Sequence, residues 1–442
     1  MEISRIVAIW TLACVVTIVI LSGLAVVSGA AFTHARAVAV SKHALLNGDL
    51  NVTMQTIFGN YRTEYGDTYT ECAMLQMQIE RPVGIFLQAI DTHLRQNDDH
   101  PCDTLKKTLF DVSDAPVRSY FHYPSGARHL EAFVLSLMSF GNARKLYYAL
   151  SYSSLALLFA AMLWRDARTA LMLAPIPATL ALSFSLHLFG GNLAHAPGFF
   201  ICWLMLALFV AAKPWLQSTE RRAAFIAAIG IMTIYFDILT GTIPTILALT
   251  IVLNHFFYVR DDRGKPGYFS KAMLNGSAIA VSFLGACFII NVSRLLLLSK
   301  LGIDTSEYIH GLLFRTGDHV GSLRVTFLMN LLWLLNARSQ LAPGGELLGN
   351  VTIVIGIYSW IRAAVALASR YSVDIGTDIV VLASAAVGVL AWYGAFPQHT
   401  SIHVWFMVRL LALPAAFGMT ALAVARFGSS SSNREIADKI AG

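Results

Sequence analysis

Polar side chains able to do chemistry gather at four places in an otherwise apolar chain. The first is Glu64-Tyr-Gly-Asp67-Thr-Tyr-Thr-Glu71-Cys72, which holds three carboxylates within eight residues. If the chain after Gly66 is helical, Asp67 and Glu71 stand one turn apart on one face. Carboxylates that close repel, so one is held protonated or the pair chelates a divalent metal. A carboxylate beside a membrane, where water is excluded, suits a general base that takes a proton from a hydroxyl acceptor. The competing reading is an acidic loop in water with no task.

The second cluster is Tyr120-Phe-His122-Tyr123-Pro-Ser-Gly126, with Arg128 behind it. It offers an imidazole, a phenol and a guanidinium to a substrate, or it anchors a helix at the membrane surface. The third is Tyr235-Phe236-Asp237-Ile-Leu-Thr240-Gly241. Asp237 interrupts an apolar hairpin, where an acid is costly unless it works or is satisfied by Thr240 or backbone. The fourth is Gln398-His399-Thr-Ser401-Ile-His403-Val-Trp405-Phe-Met-Val-Arg409. On a helix His399 and His403 are one turn apart, and Arg409 lies a turn and a half further. A His pair at this spacing can ligate zinc, but no HExxH acid and no third ligand accompany it. Histidine and arginine at an outer leaflet suit an anionic phosphate better. Arg315 and Lys300 add to such a site or belong to a solvated loop. Gly190-Gly191 has no phosphate-loop context and reads as a turn, with His187 and His195 as satisfied interfacial residues.

These clusters need elements to hold them, and the composition says which kind. Of 442 residues 56% are apolar and 13% charged, against roughly 25% charged in a soluble domain. The mean hydropathy is +0.61. A soluble enzyme, a disordered chain and a disulfide-dense secreted module are excluded, and a polytopic membrane protein remains. The 32 basic and 26 acidic residues leave a charge of +6. Such an excess sits in cytoplasmic loops, so it is no sign of nucleic acid.

Hydropathy predicts about ten spans: 6–32, 144–163, 169–188, 197–212, 223–238, 240–258, 271–291, 347–368, 377–394 and 404–425. Short Lys/Arg-rich connections between them place both termini in the cytoplasm. The chain then divides into an uncleaved anchor at 1–33, a periplasmic loop at 34–142 and a multi-span bundle at 143–427. A mobile cytoplasmic tail follows at 428–442. Residues 128–140 and 323–335 read as interfacial helices, the latter too short to span. Cys14, Cys202 and Cys287 fall inside spans and act as small apolar residues. Cys72 and Cys102 fall in the periplasmic loop, where an oxidising compartment favours a bridge over two free thiols. That bridge closes a loop of about 30 residues and is worth roughly 3 kcal/mol.

One anchor, a large outside loop with acids near its start and then a bundle of spans resembles the GT-C superfamily of membrane glycosyltransferases. The blocks are similar to those of a family of bacterial membrane proteins, and they occur in the same order. The acidic block is Asp67-Thr-Tyr-Thr-Glu71, the turn is Tyr123-Pro-Ser-Gly126 and the hairpin is Tyr235-Phe-Asp-Ile-Leu-Thr240. Arg315-Thr316-Gly317 and His399-Thr-Ser-Ile-His403-Val-Trp-Phe-Met-Val-Arg409 complete the series. Pro124 and Ser125 replace a Trp-His pair of the family turn, leaving His122 to supply its histidine. Among such enzymes the compact size most resembles the type IV pilin arabinofuranosyltransferases.

The resemblance implies an all-α bundle working at the periplasmic face of the bacterial inner membrane. The donor is a polyprenyl-phosphate sugar, with decaprenyl-phosphate arabinofuranose implied. The acceptor is a pilin Ser or Thr, or a glycan. Asp67 is the expected general base, and Glu71 orients it or shares a divalent metal, which the reaction allows but does not require. Glu64, His122, Tyr123, Arg128 and Asp237 are expected to line the substrate site. Arg315, His399, His403 and Arg409 are expected to hold the donor phosphate. The rival expectation is a lipid-linked sugar flippase or transporter that uses the same buried charges as a path.

Overall fold

The computed structural model describes residues 2–58, 61–64, 67–81, 84, 87, 91–95, 99–111, 116–120, 126–236, 241–320, 323–343, 345–369 and 372–428. The described residues are about 82% helical, and the strands among them form only two-stranded ribbons. The class is therefore all-α. Seven described helices are long and apolar enough to cross a membrane: Ser4–Ala31, Phe140–Arg165, Thr242–Asp262, Tyr268–Lys300, Glu346–Ser369, Val373–Ala395 and Val404–Phe427. Apolar side chains also cover their outer faces, including Val281, Phe288, Val354 and Ile361. A helix that is apolar all round belongs in lipid or in a core.

Three of the ten predicted spans do not reach that standard. The segment 169–188 is broken into Ala167–Leu173, Pro175–Ser183 and Leu186–Phe189. Pro175 and Pro177 supply no N–H, and Ser185 turns left-handed at φ 56°. The Ala196–Ala211 helix has 16 residues, about 24 Å of rise against a ~30 Å hydrocarbon core. The Thr219–Phe236 helix carries Glu220, Arg221 and Arg222 in its first turn. The Phe327–Asn336 helix has 10 residues and rises only ~15 Å, too short to span.

The main core packs Phe140–Arg165 along Ala196–Ala211 and Glu346–Ser369 along Ala412–Phe427, burying Phe184, Phe199, Trp203 and Phe417. At one end of the bundle, here the loop end, sits a subdomain of four helices. They are His34–Leu46, Thr68–Ile79, Pro101–Phe110 and Gly126–Leu137. Each of the first two starts where a side-chain oxygen can take up a free N–H, on Thr33 and on Asp67. Cys72 and Cys102 form a disulfide between the second and third helices, with Cα atoms 5.0 Å apart. Phe32, Val40, Leu75, Leu105, Leu135 and Phe140 share a core that fastens the subdomain to the bundle.

The expected helix at 128–140 spans Gly126–Leu137. It packs against the N-terminal span, and Arg128, His129 and Glu131 are buried. Gly126 allows this approach, because a Cβ there would collide with the ring and carbonyl of Tyr235.

Candidate functional site

Asp67 is the N-cap of the Thr68–Ile79 helix. Its Oδ1 accepts the Thr70 N–H at 3.0 Å, and its Oδ2 accepts the Thr70 hydroxyl at 2.5 Å. The third donor comes from far along the chain. His195 Nε2 meets Asp67 Oδ2, and both side chains have an exposure of 0%. A tight turn aims that imidazole: Asn192 Oδ1 accepts the N–H groups of Ala194 and His195 at 2.9 and 3.0 Å. Asn192 Nδ2 also donates to the Asp67 carbonyl at 2.8 Å, so one residue locks turn and helix together.

Behind His195 lies Arg409, whose Nη2 is 3.4 Å from His195 Nδ1. A guanidinium can only donate, so Nδ1 is the acceptor and the ring proton sits on Nε2, facing Asp67. The His195 pKa is lowered by burial first and then by Arg409, against the opposing pull of Asp67. The result is a neutral imidazole donating to a carboxylate. Arg409 is completely buried, and its charge lies over the rings of Phe199, Phe189, Phe184 and Phe406 at 4.4–5.8 Å.

Glu71, one turn beyond Asp67, is held by an ion pair. Arg144 grips both of its oxygens, Nε at 3.2 Å from Oε1 and Nη2 on Oε2, and the Leu193 N–H reaches Oε1 at 3.0 Å. Burial raises the Glu71 pKa, while Arg144 draws it down. With its lone pairs committed, Glu71 ties the acidic helix to the Phe140–Arg165 span and the 190–195 turn. Among the described residues no group of three or more His, Cys, Asp or Glu is placed to hold a metal ion.

A cavity of about 170 Å³ opens beside this cluster. Arg128, Arg315, His399 and His403 supply its nitrogen-bearing wall, and Tyr69, Thr70, Thr92 and Tyr120 its hydroxyls. Ala73, Met74, Met77, Ala127 and Phe406 make the apolar remainder. The His399 and His403 rings stand 4.6 Å apart, one turn along Pro397–Ile402 as the spacing predicted. Burial, and then the nearby His399, Arg315 and His195, hold the His403 pKa well below its ordinary value. Burial and Arg81 push the Arg128 guanidinium down to about 9, which leaves it charged at neutral pH. Beneath it Gln78 Nε2 bridges the Arg128 carbonyl at 2.8 Å and Glu131 Oε2 at 3.2 Å. Burial pushes Glu131 up to about 8, so it carries little charge to offset the wall.

Four sequence candidates therefore share one cavity: Arg128, Arg315, His399 and His403. Asp67 and Arg409 are not among the residues that line it; Thr70 and Phe406, which touch them, are. His195, expected to be a satisfied residue of the 190–197 turn, is satisfied by Asp67 and Arg409. His122, Tyr123, Asp237 and the side chain of Glu64 lie outside the described residues. Sequence reasoning missed Thr70, Arg144, His195 and Glu131. The available signal was an ionisable residue at span depth or at a span end, which singles out Arg144 and His195.

Fold and site together define a polytopic all-α membrane protein with a cation-walled cavity over a buried Asp–His pair. Comparison with family models, curated proteins and solved structures returns no match to this chain.

Proposed function

We propose that this protein is a glycosyltransferase that moves a sugar from a polyprenyl phosphate to an acceptor hydroxyl. One observation carries the reading: the cavity combines two guanidinium groups, two imidazoles and four hydroxyls at the end of a lipid-spanning bundle, with Asp67 one side chain away. A polar headgroup enters such a cavity while its isoprenoid tail stays along apolar helices. At about 170 Å³ the space is smaller than the ~300 Å³ of ordinary ligand pockets, which fits one sugar phosphate better than a glycan. The sugar is arabinofuranose and the acceptor a pilin Ser or Thr. The site faces the periplasm across the inner membrane.

In this reading Arg128 and Arg315 bind the donor phosphate and stabilise it as it leaves. His403, its pKa held low by burial, and His399 donate or accept hydrogen bonds to phosphate or sugar. Asp67 is the general base, and His195, Arg409, Glu71 and Arg144 position it. Direct attack at the anomeric carbon inverts its configuration. A lipid monophosphate leaves with less charge than a diphosphate, so the wall itself can compensate it, and a divalent metal is compatible with this scheme.

The test is transfer by the full-length protein in nanodiscs, with synthetic polyprenyl-phosphate arabinofuranose and a pilin acceptor. A mass gain of one pentose on the acceptor is expected. If the protein binds no polyprenyl-phosphate sugar at all, the glycosyltransferase reading fails and a transporter becomes the better one.

A further inference from the structure

Asp67 cannot reach a substrate as it stands. Its side chain has no exposure, and it is not on the cavity wall, whereas Thr70 is. Thr70 is the residue common to both: it lines the cavity, and its hydroxyl donates to Asp67 Oδ2 at 2.5 Å. We propose that Thr70 is a catalytic residue whose hydroxyl carries the acceptor's proton from the cavity to Asp67. The inference rests on the glycosyltransferase reading above.

A threonine hydroxyl has one proton to give and lone pairs to receive one. Here the proton points to a carboxylate, so the lone pairs remain for a hydroxyl arriving in the cavity. The step balances in one direction. The acceptor oxygen bonds to the anomeric carbon as the carbon–phosphate oxygen bond breaks, and the phosphate leaves with that electron pair. The acceptor's proton passes to Thr70 Oγ1, and the original Thr70 proton passes to Asp67 Oδ2. His195 already carries its proton on Nε2, and Arg409 occupies the Nδ1 side. The transferred proton therefore stays on Asp67 until product leaves.

The plainer explanation of the Thr70 contact is helix capping, and the chain contains its own control for that. Asp166-Ala-Arg-Thr169 repeats the pattern at the start of the Ala167–Leu173 helix. Thr169 Oγ1 is 2.5 Å from Asp166 Oδ2, and its N–H is 3.2 Å from Oδ1. That aspartate is exposed to solvent and has no His195 counterpart. Losing the hydroxyl there measures the cost of the cap alone.

The experiment compares wild type, T70V, T70S and T169V in nanodiscs, with the pentose donor and pilin acceptor, under single-turnover conditions. T70V is expected to lose about 100-fold in transfer rate, the scale of acid–base catalysis, with donor KM within about twofold. T70S should keep the rate within about tenfold. The fall in Tm for T70V should match that of T169V. A wild-type proton inventory in mixed H₂O and D₂O should be curved, because two protons move together. A linear inventory overturns the relay even if T70V fails to fold, and so does T70V retaining a third or more of the rate. Absence of transfer by wild type is a separate outcome that removes the underlying reading.

Discussion

Among the described residues the bundle buries two Asp–His pairs, each with an arginine beside it, and the two are wired differently. At the loop end the arginine touches the imidazole: Arg409 meets His195 Nδ1 while His195 Nε2 meets Asp67. In the second pair the arginine touches the acid. Arg260 Nε lies 3.2 Å from Asp378 Oδ2, while His255 Nε2 and the Tyr268 hydroxyl meet Oδ1 at 2.7 and 2.8 Å. Asp378 sits near the start of the Val373–Ala395 helix, ~25 Å of helical rise from its loop end. A carboxylate closed by a cation, an imidazole and a phenol is a clasp between three helices. Even the π-helical turn His255–Val259 serves to bring His255 into it. The Asp67 carboxylate has its cation one ring away and a hydroxyl partner, Thr70, that belongs to the cavity lining. Residue types are nearly the same and the order of contact differs; in the proposed reading only the first pair takes part in chemistry.

The sharpest way to break this contrast is a matched pair of substitutions. D67N should lower transfer by about 1000-fold or more, on the scale of losing a general base, with the fold retained. D378N should leave transfer per folded molecule unchanged. It should instead cost roughly 3 kcal/mol of stability, because it strands a buried Arg260. A denaturation series beside the transfer assay reads both, and a catalytic loss in D378N would erase the distinction. H195F should next cost about 100-fold in rate through loss of the Asp67 donor, and H195Q less, because an amide N–H can still donate.

Removing Arg409 sharpens the role of the order of contact. Arg409 lowers the His195 pKa, so R409M lets His195 protonate at a higher pH. A cation on Asp67 makes it a weaker base, and the acid limb of the pH–rate profile should move upward. An unmoved limb would detach Arg409 from the pair. The smallest effect belongs to Glu131, faced by Arg81, Arg128 and Glu71 and pushed up to about 8. The folded state holds its proton more tightly than the unfolded state, where the value is near 4.5. Stability from this group is complete below about 4.5, falls as pH rises towards 8, and is gone above. E131Q should flatten Tm against pH over that window.

The outline of the site was legible in the sequence where its residues are neighbours. His399 and His403 were predicted one turn apart and are so. Arg315, expected beside them, shares their cavity, and so does Arg128, expected with the second cluster. The readings that changed depend on neighbours brought from a distance. Glu71 looked like a second catalytic acid until Arg144, 73 residues on, occupied it. His195 looked interfacial, yet it lies 128 residues from the Asp67 it holds and 214 from Arg409.

The sequence by itself determined the solvent and the class. Runs of apolar residues decide whether a segment prefers lipid, and that preference is local enough to sum along the chain. Seven of the ten segments hold helices of spanning length among the described residues; the other three carry prolines and a left-handed serine, a short helix or a charged first turn. Tertiary structure alone decided which carboxylate is caged by Arg144, which is met by His195, and which residues line the cavity. Those assignments come from helix packing that brings Asp67, His195 and Arg409 within hydrogen-bond reach, and in a buried site a shift of one contact changes what a charge can do.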